Sequence, residues 1–443
     1  MSTALAERRR TIATLALPIV TGMVSQNITN LIDTAMMGFV GPTALAAVGI
    51  ASFANFMCIA FITGLTAGVA AMASRRKGEG RESETAVPLN GGLFWSLVIG
   101  LPSTVILIFA APWIFGLLTD DAAVREIGVP YMQIRIVGMV GVGMNYAYRG
   151  YWNGVGKSAV YMRTIIVMHV AQIAVAWVFV FGHLGAPELG AVGAGIGNTS
   201  AVFLGTALYT AQAFRLARGN GFLVRLPRRE TLMTILRISL PASIQQLFIS
   251  AGFTALFSII GRIGTHELAA ASVLLNLSQT AFLPGLGLGL TAAALVGQAL
   301  GRGDPADARA WGWQVVRIGM VVMTLVGIPL VIFPDPILGI FLHDPAIVDI
   351  ARWPLRVAGA TIMVEAVAMI LLNALQGAGA TAQVAKLAIG LQWVLFLPLA
   401  YVIGPILGLG LIGVWSWHIG YRFIAAIVYV VVWQSSSWQK LKV

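Results

Sequence analysis

Long apolar stretches broken by short polar segments run the whole length of this chain. A helix that crosses a bilayer needs about 20 apolar residues. Stretches of that kind lie near 12–36, 46–73, 88–113, 129–151, 160–182, 191–214, 232–260, 267–299, 312–342, 350–375, 383–404 and 411–434. They predict an all-α polytopic membrane protein with twelve transmembrane helices.

The breaks alternate in charge. "RRKGEGRE" after the second stretch carries Arg75, Arg76, Lys77 and Arg81; Lys157 follows the fourth. Arg215, Arg218, Arg225, Arg228 and Arg229 follow the sixth, "GRGDPADAR" follows the eighth, and Lys440 and Lys442 close the chain. The intervening breaks "FVGPT", "TDDAAVREIG", "GHLGAPELG" and "HDPAIVD" are short or acidic. Basic loops stay in the cytoplasm, so both termini are expected there. The opening "MSTALAERRR" is followed by too long an apolar stretch, without a small-residue cleavage site, to be a signal peptide.

The longest basic break lies mid-chain, which prompts a search for a repeat. Leu17–Pro18 answers Leu240–Pro241, an offset of 223 (240 less 17). The same offset carries "GFVGPTALAA" at Gly38 onto "GRIGTHELAA" at Gly261, "GEG" at Gly78 onto "GRG" at Gly301, and "NGVG" at Asn153 onto "QGAG" at Gln376. "LGAVGA" at Leu189 answers "LGLIGV" at Leu409 with three residues lost. The expected organisation is two pseudo-symmetric six-helix bundles: an N-terminal lobe over 1–218, a cytoplasmic linker over 219–231 and a C-terminal lobe over 232–443. With an even number of spans each, both halves share one orientation, and rocking one against the other would give alternating access.

Composition agrees: 58% of the 443 residues are hydrophobic, 10% are charged, and the mean hydropathy is +0.86. Soluble proteins are about 25% charged. The net charge of +11 sits in short loops, with no segment long enough for a nucleic-acid-binding module. Cys58 stands alone inside an apolar stretch and supports neither an intramolecular disulfide nor a metal site. "GVGKS" at Gly154 lacks the first glycine of a phosphate-binding loop, and no HExxH or Ser/His/Asp pattern suggests an enzyme. An ion gradient is then the expected energy source, with no cofactor.

Ion coupling needs a titratable group inside the bilayer, and Asp33 is the clearest. A mid-helix Asp costs roughly 2.5–3.5 kcal/mol to insert. Helical spacing gathers Gln26, Asn30, Asp33 and Met37 on one stripe. A carboxylate whose proton affinity changes with its surroundings can load a proton on one side and release it on the other. Structural hydrogen bonding is the alternative. Glu365 is the second acid; its repeat-mate is Val142, while Asp33 maps to Leu256. Non-equivalent acids suggest separate tasks, proton coupling and contact with a cationic substrate; pairing of Glu365 with Arg422 is the alternative. His169, Gln172, Asn198, Gln245, Gln246, Asn276 and Gln279 are candidates to line a substrate cavity or, equally, to bond helix to helix. Arg135, Arg352 and Arg356 read as snorkelling at span ends, and "YAYRGYW" at Tyr146–Trp152 as an interfacial aromatic belt.

At these residues the chain resembles the multidrug and toxic compound extrusion (MATE) family. "LIDTAMMGFVG", "GAVGAGIGNTSA", the Leu-Pro starts of spans one and seven, "LNALQGAGAT" and the closing "LPLAYVIG…LGLIGVW" carry the likeness, which covers nearly the whole chain. The resemblance implies a V-shaped, twelve-helix exporter of amphipathic, cationic organic compounds in exchange for H⁺ or Na⁺, acting as a monomer among the lipids of the bacterial cytoplasmic membrane. It implies cation coupling at Asp33 and gives Glu365 a counterpart among bacterial norfloxacin exporters. Where relatives carry Asn and Asp in span five, this chain has Gln172 and Ala176, and Phe248 replaces a seventh-span Glu. Those departures weaken a sodium site and favour the proton. A flippase for lipid-linked precursors, from the same superfamily, is the alternative function; the mid-span charges are mostly acidic rather than phosphate-binding, which disfavours it.

Overall fold

The structure is a computed structural model that describes residues 2–342 and 344–441, with side chains from residue 5 onward. His343, in one acidic break, and Lys442 lie outside the described residues. In chain order the helices are α1 (Ser2–Val40), α2 (Pro42–Thr63), α3 (Leu65–Gly78), α4 (Val87–Leu118), α5 (Ala122–Val137), α6 (Met139–Gly154), α7 (Ser158–Phe181), α8 (Ala191–Leu216), α9 (Arg229–Gly261), α10 (Thr265–Ala281), α11 (Leu283–Gly301), α12 (Pro305–Ile332), α13 (Pro334–Gly339), α14 (Pro345–Gly377), α15 (Thr381–Ile389), α16 (Leu397–Tyr401) and α17 (Gly410–Gln434). Among the described residues there is no β-strand. Among the described residues eleven helices are long and apolar enough to cross a membrane, and α5 with α6, bent by 48°, makes a twelfth if the pair is one span.

The bend at Gly138 has a local cause. The Gly138 N–H donates to the carbonyls of Arg135 and Ile136 rather than continuing the α ladder. The Thr199 hydroxyl then donates to the Ile134 carbonyl at 2.9 Å. A side chain from α8 thus satisfies a backbone group inside the span, as lipid requires.

Two compact units emerge, one comprising Thr21–Ser243 and the other Met1–Val20 with Ile244–Val443. Both boundaries fall inside long helices, α1 and α9, and they too lie 223 residues apart (243 less 20). The repeat is visible in backbone packing. Helix α2 starts at Pro42 and α3 ends at Gly78; α10 starts at Thr265 and α11 ends at Gly301, the same shift at both ends. In the first unit a Cβ at Gly154 would sit 2.8 Å from the Ala70 carbonyl oxygen; in the second, Gly377 meets the backbone of Ala293 in the same way. One turn away the glycine changes sides. Gly150 lies against the backbone of Thr66, whereas their repeat-mates are Asn373 and Gly289, which also touch. What persists is close approach, the feature small residues provide between membrane helices. Gly377→Val is therefore expected to lower the melting temperature in detergent by several degrees, through overpacking of order 1–3 kcal/mol. Gly49→Val, at a site with open space beside it, should leave it unchanged.

The aromatic cluster on α6 corrects its sequence reading. Tyr148, Tyr151 and Trp152 are buried in an apolar core with Val69, Leu89 and Phe222, not displayed at an interface. Tyr148 stacks on Tyr209 and its hydroxyl meets Thr210 at 2.8 Å. The basic segment after α8 is also folded down. Buried Asn90 donates to the carbonyls of Gly221 and Arg225 at 2.9 Å and accepts from the Leu223 N–H, while Arg225 pairs with Glu84 at 2.7 Å.

Candidate functional site

Within the Thr21–Ser243 unit, α1 and α7 share a polar seam that runs from buried side chains to an exposed end at Asn30. On α1 it comprises Ser25, Gln26, Asn30 and Asp33. On α7 it comprises His169 and Gln172, one turn apart and both buried. The Gln172 amide donates to Asp33 Oδ2 at 2.6 Å. His169 Nδ1 lies 2.5 Å from Ser25 Oγ, and its Nε2 lies 3.0 Å from Gln26 Oε1. The Gln26 amide nitrogen in turn donates to Asn30 Oδ1 at 3.2 Å.

The seam can hold His169 in either protonation state. Gln26 Oε1 only accepts, so Nε2–H donates to it. A neutral ring then accepts the Ser25 hydroxyl at Nδ1. A charged ring would donate at both nitrogens, and the Ser25 hydroxyl has the Gly22 carbonyl, 3.2 Å away, as its own acceptor.

Asp33 is less completely served. Its Oδ1 is buried and has no hydrogen-bond partner among the described residues. Leaving a carboxylate oxygen unsatisfied is costly, so the site suits an added proton or cation. Arg135, near the α5–α6 bend, places a positive charge close enough to act on Asp33. It donates to Ser52 Oγ and Tyr131 Oη, both at 3.2 Å. Arg135 therefore does not snorkel at a span end. Helix α5 begins at Ala122, ahead of the apolar stretch, which leaves Arg135 near the middle of its span.

The candidates separate by unit. Asn198, on α8, is half-buried in the first unit and takes no part in the seam. Met37 departs from the polar stripe: it is fully buried in the core with Ala47, Ala51 and Phe115, where its role is packing. In the other unit, Gln245 accepts from Gln376 at 3.0 Å, an interhelical bond. Gln246 is half-buried, while Asn276 and Gln279 are exposed, Asn276 bonding back to the Ser272 carbonyl of its own helix.

Glu365 sits on α14, 6% exposed, and Arg422 of α17 donates to its Oε1 at 2.5 Å. Arg422 Nε also donates to His418 Nε2 at 3.2 Å, and its guanidinium lies over the rings of Phe282 and Tyr421. This is the pairing the sequence offered as the alternative for Glu365. Ser25 and His418 were not singled out from sequence as partners, although Ser25 stands two turns before Asp33 and His418 one turn before Arg422. Among the described residues no group of His, Cys, Asp or Glu could hold a metal ion.

Repeated bundles of membrane-spanning helices, with ionisable groups bonded inside them, are an arrangement found in secondary transporters. The chain belongs to the MatE family, whose pattern matches residues 18–178 and again 241–402, two segments that start one repeat apart. It is similar to a probable multidrug resistance protein NorM of Mannheimia succiniciproducens, 25% identical over 394 residues, covering 88% of this chain and 84% of the relative. A probable NorM of Brucella suis is 27% identical over 434 residues, covering 95% and 91%. Among solved structures, a MATE crystal structure in the straight conformation superposes with a TM-score of 0.90 at 23% identity, covering 98% of this chain and 97% of that one. The family resemblance read from the sequence is thereby confirmed, as is the all-α, twelve-span fold class.

Proposed function

We propose that this chain is a secondary antiporter that exports amphipathic, cationic organic compounds in exchange for protons by alternating access, with Asp33 as the coupling carboxylate. The observation that carries this reading is Asp33 itself: a carboxylate inside a membrane span, with one oxygen held by Gln172 and the other buried without a partner among the described residues. The relatives are named multidrug resistance proteins, which supports the choice of cargo. In this reading the protein works as a monomer in the bacterial cytoplasmic membrane, with both termini on the cytoplasmic side.

The surroundings of Asp33 favour the proton over sodium. A hard cation takes several oxygen ligands. Here Gln172 turns an N–H toward the carboxylate, and the nearby charged group is the cation Arg135. A proton needs only the free oxygen. In the proposed cycle, a proton reaches Asp33 from the outer side and neutralises it, which loosens a bound cation; release of the proton inside restores the charge for the next substrate.

The test is transport of a fluorescent cation such as ethidium in proteoliposomes, with pH and Na⁺ gradients imposed separately. An imposed pH gradient should drive accumulation and a Na⁺ gradient alone should not. Transport driven only by Na⁺ would replace the proton, and transport driven by neither would sink the antiport reading.

A further inference from the structure

We propose that one face of α12 is a binding site for an anionic phospholipid, which it holds by the phosphate of the headgroup. This inference stands apart from the choice of coupling ion. A cavity of about 380 Å³ lies against the first half of the helix, lined by Ala306, Arg309, Ala310, Trp313, Gln314 and Arg317. At 100° per residue these six positions fall on one arc of the helix. The two alanines leave room at the floor, Trp313 forms an apolar wall, and two guanidinium groups stand at the rim.

The charges are arranged for an outside partner. Arg309 is anchored, donating to the Gln434 carbonyl and to Ser436 Oγ. Gln314 accepts from Arg8, which also pairs with Asp307 and lies over the ring of Trp311. Asp307 is further held by Arg302 at 2.7 Å, and Asp304 caps α12 by accepting from the Asp307 N–H. The acids of this end are thus engaged. Arg317 is exposed and has no hydrogen bond or ion pair among the described residues. Arg9 and Arg10, next to Arg8, are exposed as well.

A free phosphate would need only the rim. The helix offers more. Below Arg317 the same face continues as an exposed apolar strip of Met320, Val321, Leu325, Ile328 and Ile332. From Met320 to Ile332 it runs about 18 Å at 1.5 Å per residue, slightly more than one leaflet of a hydrocarbon core about 30 Å thick. Two arginines, a tryptophan and an acyl-length apolar strip succeed one another along a single helix face. Basic pockets at helix ends select anionic headgroups in this way.

The experiment is native mass spectrometry of the purified full-length protein in detergent. It is titrated with phosphatidylglycerol, with phosphatidylcholine and, separately, with inorganic phosphate. Phosphatidylglycerol should bind at about fivefold lower concentration than phosphatidylcholine, the ratio expected for one basic contact at a membrane surface. Arg317→Gln should erase that preference and Arg317→Lys should keep most of it; neither touches a folded-state partner. Equal binding of the two lipids, or a preference that survives Arg317→Gln, would overturn the site. Displacement of phosphatidylglycerol by an equal concentration of inorganic phosphate would overturn the assignment to lipid.

Discussion

Gradient-driven efflux by Asp33→Asn is expected to fall to that of protein-free liposomes, with expression unchanged and the melting temperature no lower than wild type. Asparagine keeps the shape of the side chain, and its Oδ1 can still accept from Gln172, so the contact between α1 and α7 survives. It also spares the chain the roughly 2.5–3.5 kcal/mol of placing an Asp at mid-span, so the fold has no reason to suffer. What disappears is the capacity to gain and lose a proton. A structural role predicts the reverse: lowered stability with transport retained. Measuring ethidium transport and thermal melting on one preparation separates the two, and full transport by Asp33→Asn would remove Asp33 from the coupling role. His169→Gln is the companion variant. It removes the other titratable group of the seam, and partial loss of transport there would show that His169 contributes to transport alongside Asp33.

The periodic part of this molecule was legible in the sequence because bilayer thickness and the repeat act on every residue at once. The apolar stretches found the spans, although their ends shift and 267–299 is broken between α10 and α11, where only Leu283–Gly301 is long and apolar enough to cross alone. The offset of 223 reappears in the helix ends of α2–α3 and α10–α11 and in the two glycine crossings at Gly154 and Gly377. Departures arise where a local exchange breaks the rule. The stretch 312–342 divides at Phe333, where Pro334 begins the short α13. Between α15 and α17 the backbone passes through two π-helical segments, Gly390–Phe396 and Val402–Ile406. There Gln392 and Trp393 donate to the carbonyls of Ile249 and Phe248 on α9. No apolar periodicity announces a π segment.

At the site, residue type and helical spacing were enough to place Gln26, Asn30 and Asp33 on one side of α1. They could not reveal which neighbour answers them. His169 and Gln172 meet that face because α7 lies beside α1 in the first unit, a fact of packing. The same limit explains Arg135 and the tyrosines of α6. A charge or aromatic ring near the edge of an apolar stretch looks interfacial until the helix proves longer than the stretch, as α5 does, or proves enclosed, as α6 is.

Arg422→Met is expected to destabilise the protein by about 3–5 kcal/mol, the effect of leaving a buried carboxylate without its counter-charge. Glu365 has no other ion-pair partner among the described residues, and the pair is enclosed by Phe282, Tyr421 and the His418 ring. The reverse change should be milder. Glu365→Gln leaves the Arg422 guanidinium, which is partly exposed, bonded to His418 and stacked on aromatic rings. Combining the two changes should recover most of the lost stability, because a matched neutral pair removes the uncompensated charge. Guanidinium unfolding of the three variants in detergent checks this order. Transport by the double variant then separates the two readings of Glu365. If the acid serves to lock α14 against α17, the rescued double variant exports ethidium near the wild-type rate under a pH gradient. If the acid carries the ion or the substrate, stability returns and transport does not, since Arg422 would then be an internal cation that the cargo must displace from Glu365.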